Sequence, residues 1–545
     1  MIESSAVIVV RPEREDTMRK RIIKYALLTS VVLLSAAGCQ ASAQDKKSRD
    51  QELSEPEKMD WYVNYSWFKT AWGENEVSKA MTDRTGVSID YLIPKGNETD
   101  KLNAMIASDT LPDLVTIGWW ETQNQEMIDK DQVYSFNDLA EKYDPDFFDV
   151  LDESAVKWYT KSNGKIYGYP NSSYSFEDFK KNKIPSNQNF LVRKDIYEAI
   201  GSPDMTTPEG FSNAIRKAYK SFPKIDGNPL IPIGADEFNE NGSNSFDQYI
   251  QSFLAVPYEK DGIYYDRNTD SEYLRWLKMF RQLGQEGYLK DEIFIDKRSQ
   301  LESKLAKGQY FCLFYQNTDL KDQVRILNKK DPDSIYIAVE GPKNSNGDDP
   351  VLPVPGVHGW TVTYISKNCK NPGKALELMK YLISEEGQKM TYLGVEGSMY
   401  QMKDGKPVIY PEVKKLLDTD REAYDARYGA DDTFWMLQDN VMQLKWNYED
   451  DDPVSAMKRW TYPYTAYTAQ YDINFDEDTK KATIFKNLQK IWGNTLPRLL
   501  LAQSDQEFDQ ILTEYKEKRK ANGYETFVND ATERFKENKE LLGMD

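Results

Sequence analysis

The chain has 545 residues, a formal net charge of -19 at pH 7, and 39% hydrophobic and 13% aromatic residues. This composition excludes a disordered chain, which would be poor in Trp, Tyr and Phe, and the length points to more than one domain. An acidic balance without any basic, aromatic-interleaved run argues against a nucleic-acid partner. It leaves an anionic sugar open, because a site can be locally positive. Twelve Trp and 35 Tyr suit the wet faces of binding sites as well as cores.

Met18-Arg19-Lys20-Arg21 opens a short cationic stretch, followed by an apolar run from Tyr25 to Leu34, small residues 35–38, and Cys39. That order predicts a secretory signal peptide over residues 1–38. The apolar run is shorter than the ~20 residues that span a bilayer. Glu13, Glu15 and Asp16 do not suit a leader, so translation is expected to start at Met18, with 1–17 upstream of the true start. Ala37-Gly38-Cys39 resembles a bacterial lipobox, with Ala36 where Leu is usual. The resemblance implies cleavage before Cys39 and lipidation of its sulfur. Residues 39–58, polar and aperiodic, are expected to be a flexible tether.

From residue 59 the pattern becomes α/β. Met59 to Tyr65 alternates and predicts a strand. A helix ends near Gly86, and Val87 to Tyr91 is a second strand. Lys101 to Ser108 is helical, with Leu102, Met105 and Ile106 on one face, and Leu114 to Ile117 is a third strand. This β-α-β-α-β rhythm implies a mostly parallel sheet. A second α/β stretch begins at Phe190, with strands at 310–315, 335–339 and 361–365. Helices dominate the rest, Phe508, Ile511, Leu512 and Tyr515 among them at helical spacing.

Several stretches, taken together, resemble the family 1 extracellular solute-binding proteins of ABC importers, the group that includes maltose-binding protein. The likeness is to the long lipoprotein branch found in monoderm bacteria. The stretches are Leu102 to Val115, Asn163 to Pro170, Leu191 to Tyr197 with Thr207-Pro208-Glu209, and Ile365 to Pro372 with Ser384 to Gln388. The resemblance covers residues 59 to about 405. It implies an α/β, two-lobed (type II) binding-protein fold with a cleft between the lobes and a helical C-terminal extension. On this basis lobe 1 is expected over 59–189, lobe 2 over 190–334, a return to lobe 1 over 335–366, and mainly lobe 2 and C-terminal helices over 367–545. It further implies an oligosaccharide ligand, ABC importer permease partners, a lipid anchor and a monomer, with no cofactor.

Sugars present CH faces to aromatic rings and hydroxyls to polar side chains, so aromatics just beyond strand ends are the candidates. Asn64 and Trp67 follow the first strand. Trp119 and Trp120 follow the third, with a packing cluster as the alternative. Tyr174 follows the segment ending at Pro170. Tyr315 and Gln316 end an apolar strand, where the resemblance implies an aromatic ligand contact, with lobe packing as the alternative. Trp360 precedes a strand, beside the lone His358, which reads as a satisfied polar residue. Trp435 lies in the less recognisable C-terminal region.

Catalytic motifs are absent. One His excludes HExxH zinc sites, and there is no CxxC, P-loop or GxSxG in a suitable setting. The acidic run Glu449 to Asp452 reads as a solvated loop. The loop Glu237 to Gln248 ends in Gln rather than a bidentate Glu and is no calcium site. No metal is expected, and nothing in the sequence supports a Cys312–Cys369 disulfide. A binding protein is therefore the expectation. The alternatives are a tethered polysaccharide-degrading enzyme, which needs only two carboxylates, and a receptor for another polar solute such as a peptide.

Overall fold

The computed structural model describes residues 55–96, 98–446, 453–473, 475 and 479–544. The expected leader, Cys39, most of the expected tether and the acidic run Glu449 to Asp452 lie outside them. Among the described residues no helix is long and apolar enough to cross a membrane.

The chain opens with strand β1 (Glu57–Val63), helix α1 (Glu76–Thr85), strand β2 (Val87–Leu92), helix α2 (Glu98–Ser108) and strand β3 (Leu114–Gly118). Helix α1 starts where the Asn75 side chain accepts from Ser78 N, and it ends at Gly86, whose φ of 69° is costly for a side chain with a Cβ. β1 pairs in parallel with both β2 and β3, as short α-helical crossovers require. Period two sorts the side chains: Met59, Trp61 and Val63 enter one core and Tyr62 the other. Between the layers, Trp61 Nε1 donates to Thr116 Oγ1 at 2.8 Å, so the buried indole is satisfied.

Strand β4 (Gly168–Pro170) completes this part, and the chain then crosses to a second sheet. That sheet contains β5 (Gln188–Arg193), β6 (Ile231–Ala235), β7 (Tyr310–Gln316) and β8 (Tyr336–Ala338), in the order β8-β5-β7-β6. Helices α3 (Arg298–Ala306) and α4 (Lys321–Lys330) flank β7 in sequence. Strand β9 (Thr361–Ile365) returns to the first sheet, antiparallel to β3 and β4, giving the order β2-β1-β3-β9-β4. Each sheet has its own pair of cores, so the molecule is two-lobed.

Two expected boundaries are corrected. The strand at 335–339 forms, but it pairs with β5 in the second sheet, so the return to lobe 1 comes with β9. Residues after 367 do not go mainly to lobe 2. Leu376, Leu378 and Met379 of helix α5 (Pro372–Ile383), then Val413, Tyr424 and the run Phe434 to Leu437, pack in the first lobe's core. The expected helical end joins lobe 2: Trp492, Leu496 and Leu499 of α6 (Lys480–Leu501) and Phe508, Ile511 and Tyr515 of α7 (Asp505–Ala521) fill its main core. Cys312 and Cys369 are free and buried.

Candidate functional site

The carboxyl ends of β1 and β3 and the amino end of antiparallel β9 share one edge of the first sheet. Ligands of open α/β folds bind at such edges. Tyr65 and Trp67 emerge there after β1, and Trp360 just before β9. Trp435, at the head of a short 3-10 turn, arrives from the C-terminal region. These four rings form a wall. Trp67 stacks on Trp360 (centroids 6.1 Å, 10° between planes) and on Trp435 (5.6 Å, 30°). Trp360 and Trp435 approach to 4.5 Å, and Tyr65 lies 5.3 Å from Trp360. Each such pair adds about 0.5–1.5 kcal/mol beyond area burial, so the wall is held in place before any ligand arrives. Trp435 is 6% exposed, whereas Trp67 is 40% exposed and keeps an open side. The Trp435 indole N–H is buried without an acceptor, which is unusual for a buried donor.

Lobe 2 closes on this wall at two points. The Arg298 guanidinium sits 5.6 Å from the Trp67 ring centre, held by Glu302 (2.7 Å) and Asp319 (3.1 Å). Lys321 Nζ reaches Asp431 Oδ2 of lobe 1 at 2.8 Å, and Arg421 reaches the same oxygen at 2.7 Å. Burial alone would raise the Asp431 carboxyl, but Lys321 and Arg421 outweigh it and hold the group well below the usual carboxylate range. Asp431 and Asp432 both adopt left-handed backbone (φ 52° and 61°), a conformation Asp tolerates better than most residues. A cavity of about 880 Å3 opens beside the wall, between Trp67, Phe68 and Trp435 on one side and Asp322, Arg325 and Ile326 of α4 on the other. That volume is within the ~300–1,000 Å3 typical of small-molecule sites.

The remaining predicted residues divide. Asn64 is engaged within the protein: its amide donates to both Glu121 oxygens (3.0 and 2.9 Å) and its carbonyl accepts from Tyr62 OH (2.6 Å). Burial raises the Glu121 carboxyl despite those bonds. Trp120 is 52% exposed and leans on Gly118, where a Cβ would come within 2.7 Å of its ring. Trp119 turns the other way, packing into the helix-side core with its ring 4.2 Å from His358. The His358 ring faces Gly359 O at 2.6 Å through Nδ1 and Asp472 at 2.9 Å through Nε2. Both partners favour the charged, protonated imidazole. Burial opposes that charge, and Asp472 with the Gly359 carbonyl outweighs burial to raise the pKa. Gln316 is half-buried at the end of β7, accepting from Asn187 at 3.2 Å and donating to Asp319.

Two candidates do not reach the cleft. Tyr174 is buried in a small cluster with Ile184, Val354, Tyr467 and Ala469. Tyr315 is buried with Leu313, Leu320 and Val324 beneath α4. In both cases position along the chain was right and the face was wrong. Sequence reasoning passed over Tyr65, Arg298, Arg421 and the Asp431-Asp432 pair. The one available signal was two adjacent acids shortly before Phe434-Trp435. Among the described residues no group of three or more His, Cys, Asp or Glu could hold a metal ion.

Comparison with known proteins extends this geometry. The chain is 22% identical over 342 residues to Lipoprotein LipO of Bacillus subtilis strain 168, covering 60% of this chain. It spans less than two thirds of that relative's length, 64%. Among solved structures, the substrate-binding protein FusA of Streptococcus pneumoniae, in complex with kestose, superposes with a TM-score of 0.67 at 15% identity, over 89% of this chain and 99% of that one. The alginate-binding protein AlgQ2, solved without calcium ion, gives 0.63 at 17% identity over the same shares. A human-milk-oligosaccharide-binding (HMO) solute-binding protein of Bifidobacterium longum infantis gives 0.61 at 14% identity, over 88% and 99%. At these identities the likeness shows the two-lobed fold. A family described as bacterial extracellular solute-binding protein matches residues 76–400. With that match running over more than half its length, from α1 through β9 and beyond, the chain belongs to the bacterial extracellular solute-binding protein family.

Proposed function

We propose that this protein is a lipid-anchored receptor on the outer face of the cell membrane that captures an oligosaccharide and passes it to the permease subunits of an ABC importer. The observation that carries this reading is the aromatic wall of Trp67, Trp360 and Trp435, one indole of which lies open on a cavity between the lobes. Flat rings match the CH faces of pyranoses and furanoses, and the polar lining offers partners for hydroxyls. Closure of two lobes around a ligand is a known hinge motion, and the Lys321–Asp431 pair is placed to hold the closed form. Relatives solved with kestose or named for milk oligosaccharides, and one named as a lipoprotein, support the ligand class and the anchor.

In this reading the protein does no chemistry, works as a monomer and needs no cofactor. A calorimetric screen of purified protein against plant and bacterial oligosaccharides tests it: at least one should bind and be recovered intact. Shorter products or new reducing ends on long incubation would instead mark a tethered hydrolase. For the anchor, Cys39→Ala should release the protein into the medium, and a variant that stays membrane-bound would place the anchor elsewhere.

A further inference from the structure

We propose that the cavity between the lobes selects against negatively charged sugars, so that its ligand is a neutral or amino-bearing oligosaccharide. This rests on the carbohydrate-receptor reading above and deepens it. The chain's overall acidity leaves the ligand's charge open, because an acidic surface can conceal a basic site. The cavity conceals none. Seven Asp and Glu line it against four Lys and Arg. Leaving out the exposed Glu74, Asp322, Asp420, Glu422, Lys69 and Lys329, the half-buried lining is Asp418, Asp425 and Asp432 against Arg325 and Arg421.

What decides the matter is which of those cations are free. Arg421 is taken by Asp425 and Asp431, each at 2.7 Å. Arg325 has Asp322 of its own helix at 3.5 Å, although its buried Nη1 makes no hydrogen bond. Lys321, just behind the lining, is held by Asp431 at 2.8 Å. Lys69 and Lys329 have no acidic partner among the described residues, but both are exposed at the rim. Arg421, Lys321 and Arg325 therefore each face a carboxylate before any ligand arrives, at 2.7, 2.8 and 3.5 Å.

The acids are differently placed. Asp432 lines the cavity beside Thr433 and Trp435. Gln443 donates to its Oδ1 at 2.7 Å, and among the described residues no donor reaches Oδ2. The groups facing it are Asp431, Lys321 and Arg421, and burial together with Asp431 pushes its carboxyl up to about 7. A second negative charge entering this space would shed water and meet carboxylates, an uncompensated cost. A hydroxyl or an ammonium would instead find an acceptor at Asp432. Exclusion by like charge is an effective route to specificity, since the wrong ligand is penalised without the right one being held more tightly.

The test begins with a titration panel of neutral, amino and uronic oligosaccharides on the full mature protein. Binding confined to neutral or amino sugars supports the proposal, and a uronate as the tightest ligand overturns it. No binding to any member would instead overturn the carbohydrate reading on which it rests. The best neutral ligand is then compared with the same sugar oxidised at C6 to the uronic acid. The oxidised form should bind at least about tenfold more weakly, a like-charge penalty of modest size. In Asp432→Asn that gap should shrink by about threefold or more while the neutral sugar still binds. Equal affinity of the two sugars in the wild type, or a gap unchanged in Asp432→Asn, would show that cavity charge does not set the preference.

Discussion

Two groups of tryptophans stand at the same edge of the first sheet, and they are built in opposite ways. Trp119 and Trp120 are neighbours in sequence, yet one ring enters the helix-side core against His358 and the other lies half-exposed over Gly118. Trp67 is hundreds of residues from Trp360 and Trp435 in sequence, yet the three form a single wall. The tandem pair looks like a ready-made sugar platform, but β3 ends at Gly118 and the turn that follows sets the two rings edge-to-face, 88° apart. The wall has no signature in sequence, because only the antiparallel return of β9 and the folding of 367–437 onto lobe 1 bring its parts together. Adjacency along the chain is a poor guide to shared function at a sheet edge.

Mutants of the two groups should separate accordingly. The largest effect is expected for Trp435→Ala. Its ring is both wall and core, so truncation should cost about 3–5 kcal/mol of stability, read from denaturant unfolding. A loss below about 1 kcal/mol would take Trp435 out of the core. Trp119→Ala should lower the ligand-free melting temperature, with a loss of ~2–4 kcal/mol for a partly buried indole, and leave affinity per folded molecule nearly unchanged. Its neighbour should behave in reverse: Trp120→Ala should barely change melting, and affinity should fall about fivefold if the open indole touches sugar. Identical behaviour of the two would undo the distinction drawn here. Trp67→Ala should weaken sugar binding by about 1–3 kcal/mol, roughly 5- to 150-fold, with little change in ligand-free melting. Preserved affinity would remove the wall from the site.

A pH-dependent effect concerns Asp432. In the folded chain its carboxyl is raised to about 7, by burial first and Asp431 second. In the unfolded chain it titrates near the ordinary value of about 3.9. The folded state thus binds the extra proton between those values, and stability from this group falls as pH rises through the window. Asn cannot ionise. The stability of Asp432→Asn relative to wild type should therefore improve from about pH 5 to about pH 8. A pH-independent difference would show that this carboxyl keeps its ordinary pKa.

Local pattern was enough to place the scaffold. Alternation at Met59, Trp61 and Val63, the helical spacing of Leu102 and Ile106, and Asn75 and Gly86 at the ends of α1 express interactions within a few residues, and these survive folding unchanged. The expected leader and Cys39 rest on an order of residue types alone and lie outside the described residues. Tyr174 and Tyr315 mark where that reading stops. A strand or loop position can be read from pattern, but which face a ring takes depends on what covers it. Here that is Tyr467 for one and helix α4 for the other.

The composition and motifs of this chain were sufficient for its two-lobed α/β class and its family. Its domain boundaries, its aromatic wall and the charge of its cavity were settled only in three dimensions. Strand 336–338 could have joined either sheet, and pairing with β5 decided it. Net charge of -19 leaves room for a locally basic site, and only the tertiary structure sets Arg421 and Lys321 against Asp431 at the cavity. Such outcomes depend on contacts between residues far apart in the chain, whose energies no local window of sequence contains.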